Sequence, residues 1–88
     1  MPKSHIKVHP EDKVAVALGP LDADSTVRVD GREIVLREDI PQGHKFALKD
    51  MEKGEPVIKY GYPIGVMKEA VREGGWIHVH NMKTGLGN

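Results

Sequence analysis

The sequence predicts an all-β domain of short strands and hairpins with one short helix, and three observations carry that reading. β-favouring runs of four or five residues alternate with Gly, Pro and Asp breaks. Asp30-Gly31 stands between two alternating runs, and Asp-Gly is the pair that a type I′ hairpin turn demands. Only Met67 to Glu73 carries helical spacing. At 88 residues the chain is expected to form a single domain over 1–88, large enough for a real core but too small for a sizeable enclosed cleft.

In chain order, Ile6-Lys7-Val8 and Val14 to Leu18 are strand candidates. His9-Pro10-Glu11-Asp12 separates them as a turn, and Gly19-Pro20 stops the second. Folding Thr26 to Leu36 about Asp30-Gly31 puts Val27 opposite Ile34. That pairing stacks Val27, Val29, Ile34 and Leu36 on one face and sets Arg28 against Glu33 on the other. Ile40-Pro41-Gln42-Gly43 reads as a turn into a strand with His44, Phe46 and Leu48 on one side and Lys45, Ala47 and Lys49 on the other. A turn at Glu52-Lys53-Gly54-Glu55 leads to Val57-Ile58-Lys59-Tyr60, after which Gly61, Pro63 and Gly65 are expected to break the chain into kinked extended pieces. Met67, Ala70 and Val71 fall at i, i+3 and i+4, with Gly74 as a stop, so the short helix is placed at Met67 to Glu73, docked on the sheet. Trp76-Ile77-His78-Val79-His80 alternates as a strand, with Ile77 and Val79 on an apolar face and Trp76, His78 and His80 on the other. The tail after His80 is polar and glycine-rich, suited to a connector, and the sequence displays no internal repeat.

Composition narrows the function classes. Thirteen basic residues balance thirteen acidic ones, and aromatic residues make up 5% of the chain, so neither a positive field nor a set of stacking platforms favours nucleic acid. There is no cysteine, which excludes thiolate metal sites and covalent thiol chemistry. No stretch has the length and apolarity of a secretory signal or a membrane span, so a cytoplasmic location is expected.

Histidine chemistry remains. His78 and His80 lie about 6.6 Å apart along an extended strand, a spacing from which imidazoles can converge on one divalent ion or one anionic group. The same pattern also fits two solvated histidines on an open strand face, and His44 fits a core-edge histidine as well as a site residue. Lys45, Lys49, Lys59 and Lys83 read singly as solvated charges and together as anion partners. The glycines match no phosphate-cradling pattern, Glu11, Asp12, Glu38 and Asp39 read as turn and linker acids, and His5 and His9 read as solvated.

Several linked stretches carry a resemblance. Ile40 to Leu48 (IPQGHKFAL), Gly54 to Gly61 (GEPVIKYG), Ile64-Gly65, and His78-Val79-His80-Asn81 with Lys83-Thr84, in that order, resemble the amino-terminal domain of altronate and galactarate dehydratases. That domain belongs to the SAF group of compact β-clip folds, also found in sialic acid synthases and in pilus and flagellar accessory proteins. The likeness is strongest from Ile40 to Leu86 and looser before it.

The resemblance implies a lyase that removes water from an aldonic or aldaric acid by β-elimination, with a divalent metal such as iron, manganese or magnesium. A related pair of subunits eliminates sulfite from sulfolactate. Carried over by motif, it places His44, Lys45, His78 and His80 at the reaction cleft as proton carriers, with His44, His78 and His80 as metal ligands. Lys59, Tyr60 and Asn81 follow as substrate-binding residues. Such dehydratases continue into a much larger catalytic region, so the expectation is a small subunit or separate domain. It would be inactive alone, and its partners would be a larger catalytic chain, which shares the metal, and a small sugar acid. The alternative is a non-catalytic SAF module for binding or assembly.

Overall fold

The computed structural model describes residues 4–7 and 9–84. Among the described residues nine short strands follow one another: β1 (His5–Ile6), β2 (Val14–Ala17), β3 (Thr26–Val29), β4 (Arg32–Val35), β5 (Lys45–Ala47), β6 (Pro56–Lys59), β7 (Tyr62–Met67), β8 (Trp76–Ile77) and β9 (Met82–Thr84). They form an antiparallel four-stranded sheet in the order β1-β2-β5-β8, a β3-β4 hairpin, and a three-stranded sheet in the order β6-β7-β9. The fold is all-β and consistent with a β-clip. Val8 in the first expected strand, and Gly85 to Asn88 in the tail, lie outside the described residues.

The hairpin has the expected register. Val27 pairs with Ile34 and Arg28 with Glu33, and Asp30 and Gly31 both take positive φ, 52° and 79°, as a type I′ turn requires. Its apolar face covers one side of the four-stranded sheet, where Val27, Val29, Ile34 and Leu36 pack with Ala15, Ala17 and Phe46. The other side carries Val14, Ala47 and Ile77, which pack with Val57 and Met67 of the three-stranded sheet and with Met51, Val71 and Met82. The central sheet is therefore buried on both faces, each face by one side of the strand alternation.

The two halves are built alike, contrary to the expectation of no repeat. Between β2 and β5 the chain makes a bridge at Leu21↔Ile40 around the β3-β4 hairpin, and between β5 and β8 it makes a bridge at Met51↔Val71 around the β6-β7 hairpin. The tie Asp24 N–H to Leu36 O at 2.7 Å recurs as Gly54 N–H to Met67 O at 2.7 Å, and Gly43 N–H to Ala17 O at 2.8 Å recurs as Gly74 N–H to Ala47 O at 2.8 Å. Apolar core positions recur with the backbone, Leu36 with Met67 and Ile40 with Val71, while exposed positions differ, which masks the duplication in the sequence.

Two further expectations are corrected. The helix at Met67 to Glu73 is absent: Met67 ends β7 opposite Met82, and Val71 exchanges both backbone hydrogen bonds with Met51 at 2.8 Å. Seven residues cannot offset helix nucleation, and here the backbone finds long-range partners instead. Secondly, Gly61, Pro63 and Gly65 do not fragment the chain, because β7 runs unbroken through Pro63 and Gly65, with one register shift between Val57 and Ile58. Gly65 lets the Lys83 carbonyl of β9 approach where a Cβ would stand.

Candidate functional site

Pairing of β5 with β8 sets Phe46 opposite Trp76. His44, two residues before Phe46, and His78, two residues after Trp76, therefore emerge on one face at one end of the sheet. The rings meet there. His44 and His78 stack with centroids 4.2 Å apart and planes at 26°, and Trp76 lies 6.0 Å from His78 at 8°. His80 rests on Trp76 at 4.7 Å. The Trp76 indole Nε1–H donates to His44 Nδ1 at 3.0 Å, so this geometry assigns the His44 proton to Nε2. Nδ1 is occupied, while the ring nitrogens of His78 and His80 make no hydrogen bond among the described residues.

The strand expected through His80 stops at Ile77. Residues 78 to 81 form a turn in which the His78 carbonyl accepts from Asn81 N–H at 3.1 Å and from Met82 N–H at 2.9 Å. Val79 consequently points to solvent, 62% exposed, instead of joining Ile77 in the core. Asn81 directs the turn. Its Oδ1 accepts from His78 N–H at 3.0 Å and its Nδ2 donates to the Trp76 carbonyl at 2.9 Å. Asn81 is buried with both ends of its amide engaged, which pins the turn beneath the ring cluster.

Lys45 does not join the rings. It is paired with Val16 and Ile77, so its side chain leaves from the opposite face to His44. Burial, and then the charge of Lys59, press its pKa below the ordinary lysine range. Lys59 and Tyr60 belong to that reverse side as well, with the Lys59 ammonium 4.7 Å from the Tyr60 ring centre and both residues lining a hollow with Val14 and Val16. His78 is held below the ordinary imidazole value, first by desolvation and then by the charges of His44, Lys45 and His80. It is consequently neutral near pH 7 and able to accept a proton.

The expected metal set does not fit this arrangement. Stacked imidazoles direct their lone pairs in parallel planes, not toward a common point, and His44 Nδ1 is already bonded to Trp76. Among the described residues no three His, Asp or Glu side chains are grouped to hold an ion.

Two residues that the sequence reading left out of the site shape it, and a third ties turns on the reverse side. Trp76 supplies the platform and the donor, and its place beside His78 in the alternation was the available signal. Glu38, read as a linker acid, accepts from Trp76 N–H at 3.0 Å. Asp12, read as a turn acid, is buried and accepts from Gly61 N–H at 2.8 Å and from His9 N–H at 3.2 Å, tying two turns together. The Glu38–Trp76 and Asp12–Gly61 contacts had no local sequence signal, since their partners lie far away in the chain, whereas the Asp12–His9 bond spans three residues.

Known proteins place the chain. The family described as the altronate/galactarate dehydratase SAF domain matches residues 3–85. The altronate dehydratase of Escherichia coli is 48% identical over 82 residues, which cover 93% of this chain and 17% of that protein. That of Bacillus subtilis is 39% identical over 84 residues, 96% of this chain and 17% of the relative. The (2R)-sulfolactate sulfo-lyase subunit alpha of Chromohalobacter salexigens is 39% identical over 64 residues, 73% of this chain and 63% of that subunit. The chain thus spans about a sixth of the length of the dehydratases it matches. With a match over nearly all of its residues, the chain belongs to the altronate/galactarate dehydratase SAF-domain family.

Proposed function

We propose that the chain is the small subunit or amino-terminal domain of a cytoplasmic sugar-acid dehydratase, and that its imidazole cluster forms one wall of an active site completed by a larger catalytic chain. The observation that carries this reading is the stacking of His44 on His78 at 4.2 Å with His44 Nδ1 fixed by Trp76, because rings from two distant segments are ordered with nitrogens left open. The substrate is an aldonic or aldaric acid. In β-elimination of water, a base takes the proton from the carbon next to the carboxylate, and the hydroxyl on the following carbon leaves with a proton from an acid.

His78, held neutral, is the base in this scheme. His44 offers Nε2–H as a hydrogen-bond donor to a substrate oxygen, and His80, tilted against Trp76, closes the polar edge. Lys45 acts from behind the sheet through its charge on His78. The acid that protonates the leaving hydroxyl, and the ligands of the divalent metal that such a dehydratase uses, are assigned to the larger chain. Lys59 and Tyr60, on the reverse side, are outside the reaction cleft.

A second reading has its own support. The sulfo-lyase subunit alpha is matched over 63% of its length, so a relative of comparable size exists as one subunit of an enzyme named for a sulfonate. Sulfite elimination from sulfolactate needs the same base beside a carboxylate and differs in the leaving group. The test is to mix the chain with the carboxyl-terminal remainder of the Escherichia coli altronate dehydratase and supply altronate, galactarate and sulfolactate separately. The isolated chain is expected to show no turnover, and the mixture is expected to release a 2-keto-3-deoxy acid from a sugar acid. Sulfite release alone moves the assignment to the sulfo-lyase, and turnover by the isolated chain contradicts both.

A further inference from the structure

The segment that leads into His44 reaches Trp76 at two points. Glu38, near its start, accepts from Trp76 N–H through Oε2 at 3.0 Å, and His44, at its end, accepts from the Trp76 indole through Nδ1 at 3.0 Å. One residue is thus held by main chain and by side chain from a single stretch of sequence. Resting on the reading of the ring cluster as one wall of an active site, we infer that Glu38 is a positioning residue of that wall, whose carboxylate fixes the backbone of Trp76 so that the indole N–H stays aimed at His44.

β8 needs such a support. It comprises Trp76 and Ile77 alone, paired with Phe46 and Lys45, and it ends the four-stranded sheet in the order β1-β2-β5-β8. An edge strand leaves backbone groups open, and a strand this short has little pairing of its own to hold it. Side chains take those groups here. Glu38 accepts from Trp76 N–H, while Asn81 donates to the Trp76 carbonyl through Nδ2 and accepts from His78 N–H through Oδ1. Asn81 therefore secures the His78 end of the wall, and Glu38 secures the amide of Trp76.

Glu38 is itself anchored on both sides. Arg37 N–H donates to the Gly74 carbonyl at 3.0 Å and Arg37 Nε to the Glu73 carbonyl at 3.1 Å, so the residue before it is strapped to the chain that enters β8. Asp39 accepts from Ala23 N–H at 2.9 Å, and the fully buried Ile40 exchanges both backbone hydrogen bonds with Leu21. An exposed glutamate is ordinarily a solvated charge, but this carboxylate is committed to an amide 38 residues away, and a charged acceptor makes the stronger hydrogen bond. The site draws on it as an acceptor and not as a charge. What lowers the His78 pKa is desolvation first and then the charges of His44, Lys45 and His80, with Glu38 not among them.

Two readouts test the inference on wild type, Glu38→Ala, Glu38→Asp and Glu38→Gln. Turnover is measured in the complex with the same altronate dehydratase remainder, and nitrogen-15 NMR of the full chain follows the imidazoles and the indole of its single tryptophan. Glu38→Ala is expected to lower kcat about 10-fold with KM and assembly affinity unchanged, to shift the Trp76 Nε1–H resonance and to mix the His44 tautomers. Glu38→Asp, one methylene shorter, is expected to move the same resonances and decides the question should the alanine variant not fold. Glu38→Gln keeps an acceptor oxygen without the charge, and is expected to hold the wild-type resonances with kcat within about twofold of wild type. Unmoved indole and imidazole resonances in the alanine and aspartate variants overturn the inference and leave the proposed function standing. Lost turnover in Glu38→Gln with wild-type resonances also overturns it, because the charge or the proton would then be the active element. A wild-type complex without turnover overturns the proposed function, and the resonances alone then decide what Glu38 holds in place.

Discussion

Trp76 is the residue on which the site geometry turns. It stacks on His78, lies tilted against His80 and fixes the tautomer of His44 through one hydrogen bond. Trp76→Phe keeps an aromatic platform but removes that donor, and is expected to cost about 1 kcal/mol of stability. Nitrogen-15 NMR of the imidazoles checks the cause: the variant should display a mixture of His44 tautomers where the parent has the Nε2–H form, and an unchanged tautomer contradicts the assignment. His78 gives a second prediction. Its folded-state pKa lies below the ordinary histidine value of 6.5. A depressed histidine pKa means that the unfolded state binds the proton more readily. The stabilising contribution is therefore complete above about pH 6.5 and is lost as pH falls through the lowered folded value. An NMR titration should find the His78 midpoint below 6.5 and moving upward in His44→Ala, where one like charge is gone.

At the scale of the elements, legibility in the sequence depended on how local the cause was. Asp30-Gly31 fixes its own turn, so the register of Val27 on Ile34 could be read directly. Met67 to Val71 also has a local pattern, but too short to decide its conformation, and pairing with Met51 and Met82 overrides it. The alternation from Trp76 to His80 put the right rings on one side even though the strand ends at Ile77, because the turn that follows is pinned by Asn81 with the rings still facing His44. Core positions such as Leu36 and Met67 recur in kind, but the internal repeat was masked at exposed equivalents such as Asp30 and Tyr60, which share backbone conformation and no side-chain chemistry. That pair yields a prediction: Tyr60→Asn, better suited to the left-handed region, is expected to raise stability by about 1 kcal/mol. A lower denaturation midpoint in the variant would mean that Tyr60 is not strained.

The whole molecule is a thin sheet sandwiched between two small cores, with different chemistry on each face of its open end. A chain of 88 residues has a stability of about 4–13 kcal/mol by the usual per-residue range, so single core residues matter. Phe46, fully buried and directly behind the ring cluster, is such a residue, and Phe46→Ala is expected to cost about 3–5 kcal/mol in urea unfolding and to disperse the ring contacts. Among the described residues no helix is long and apolar enough to cross a membrane. The histidine face and the lysine face emerge on either side of β5 within one residue of each other, at His44 and Lys45, and the proposed chemistry is assigned to the histidine side. The most direct test of that account is the turnover of the assembled enzyme carrying His78→Ala, measured with its assembly affinity. The account predicts a loss of kcat of about 100-fold or more with unchanged assembly, and full turnover by the His78→Ala complex would contradict it.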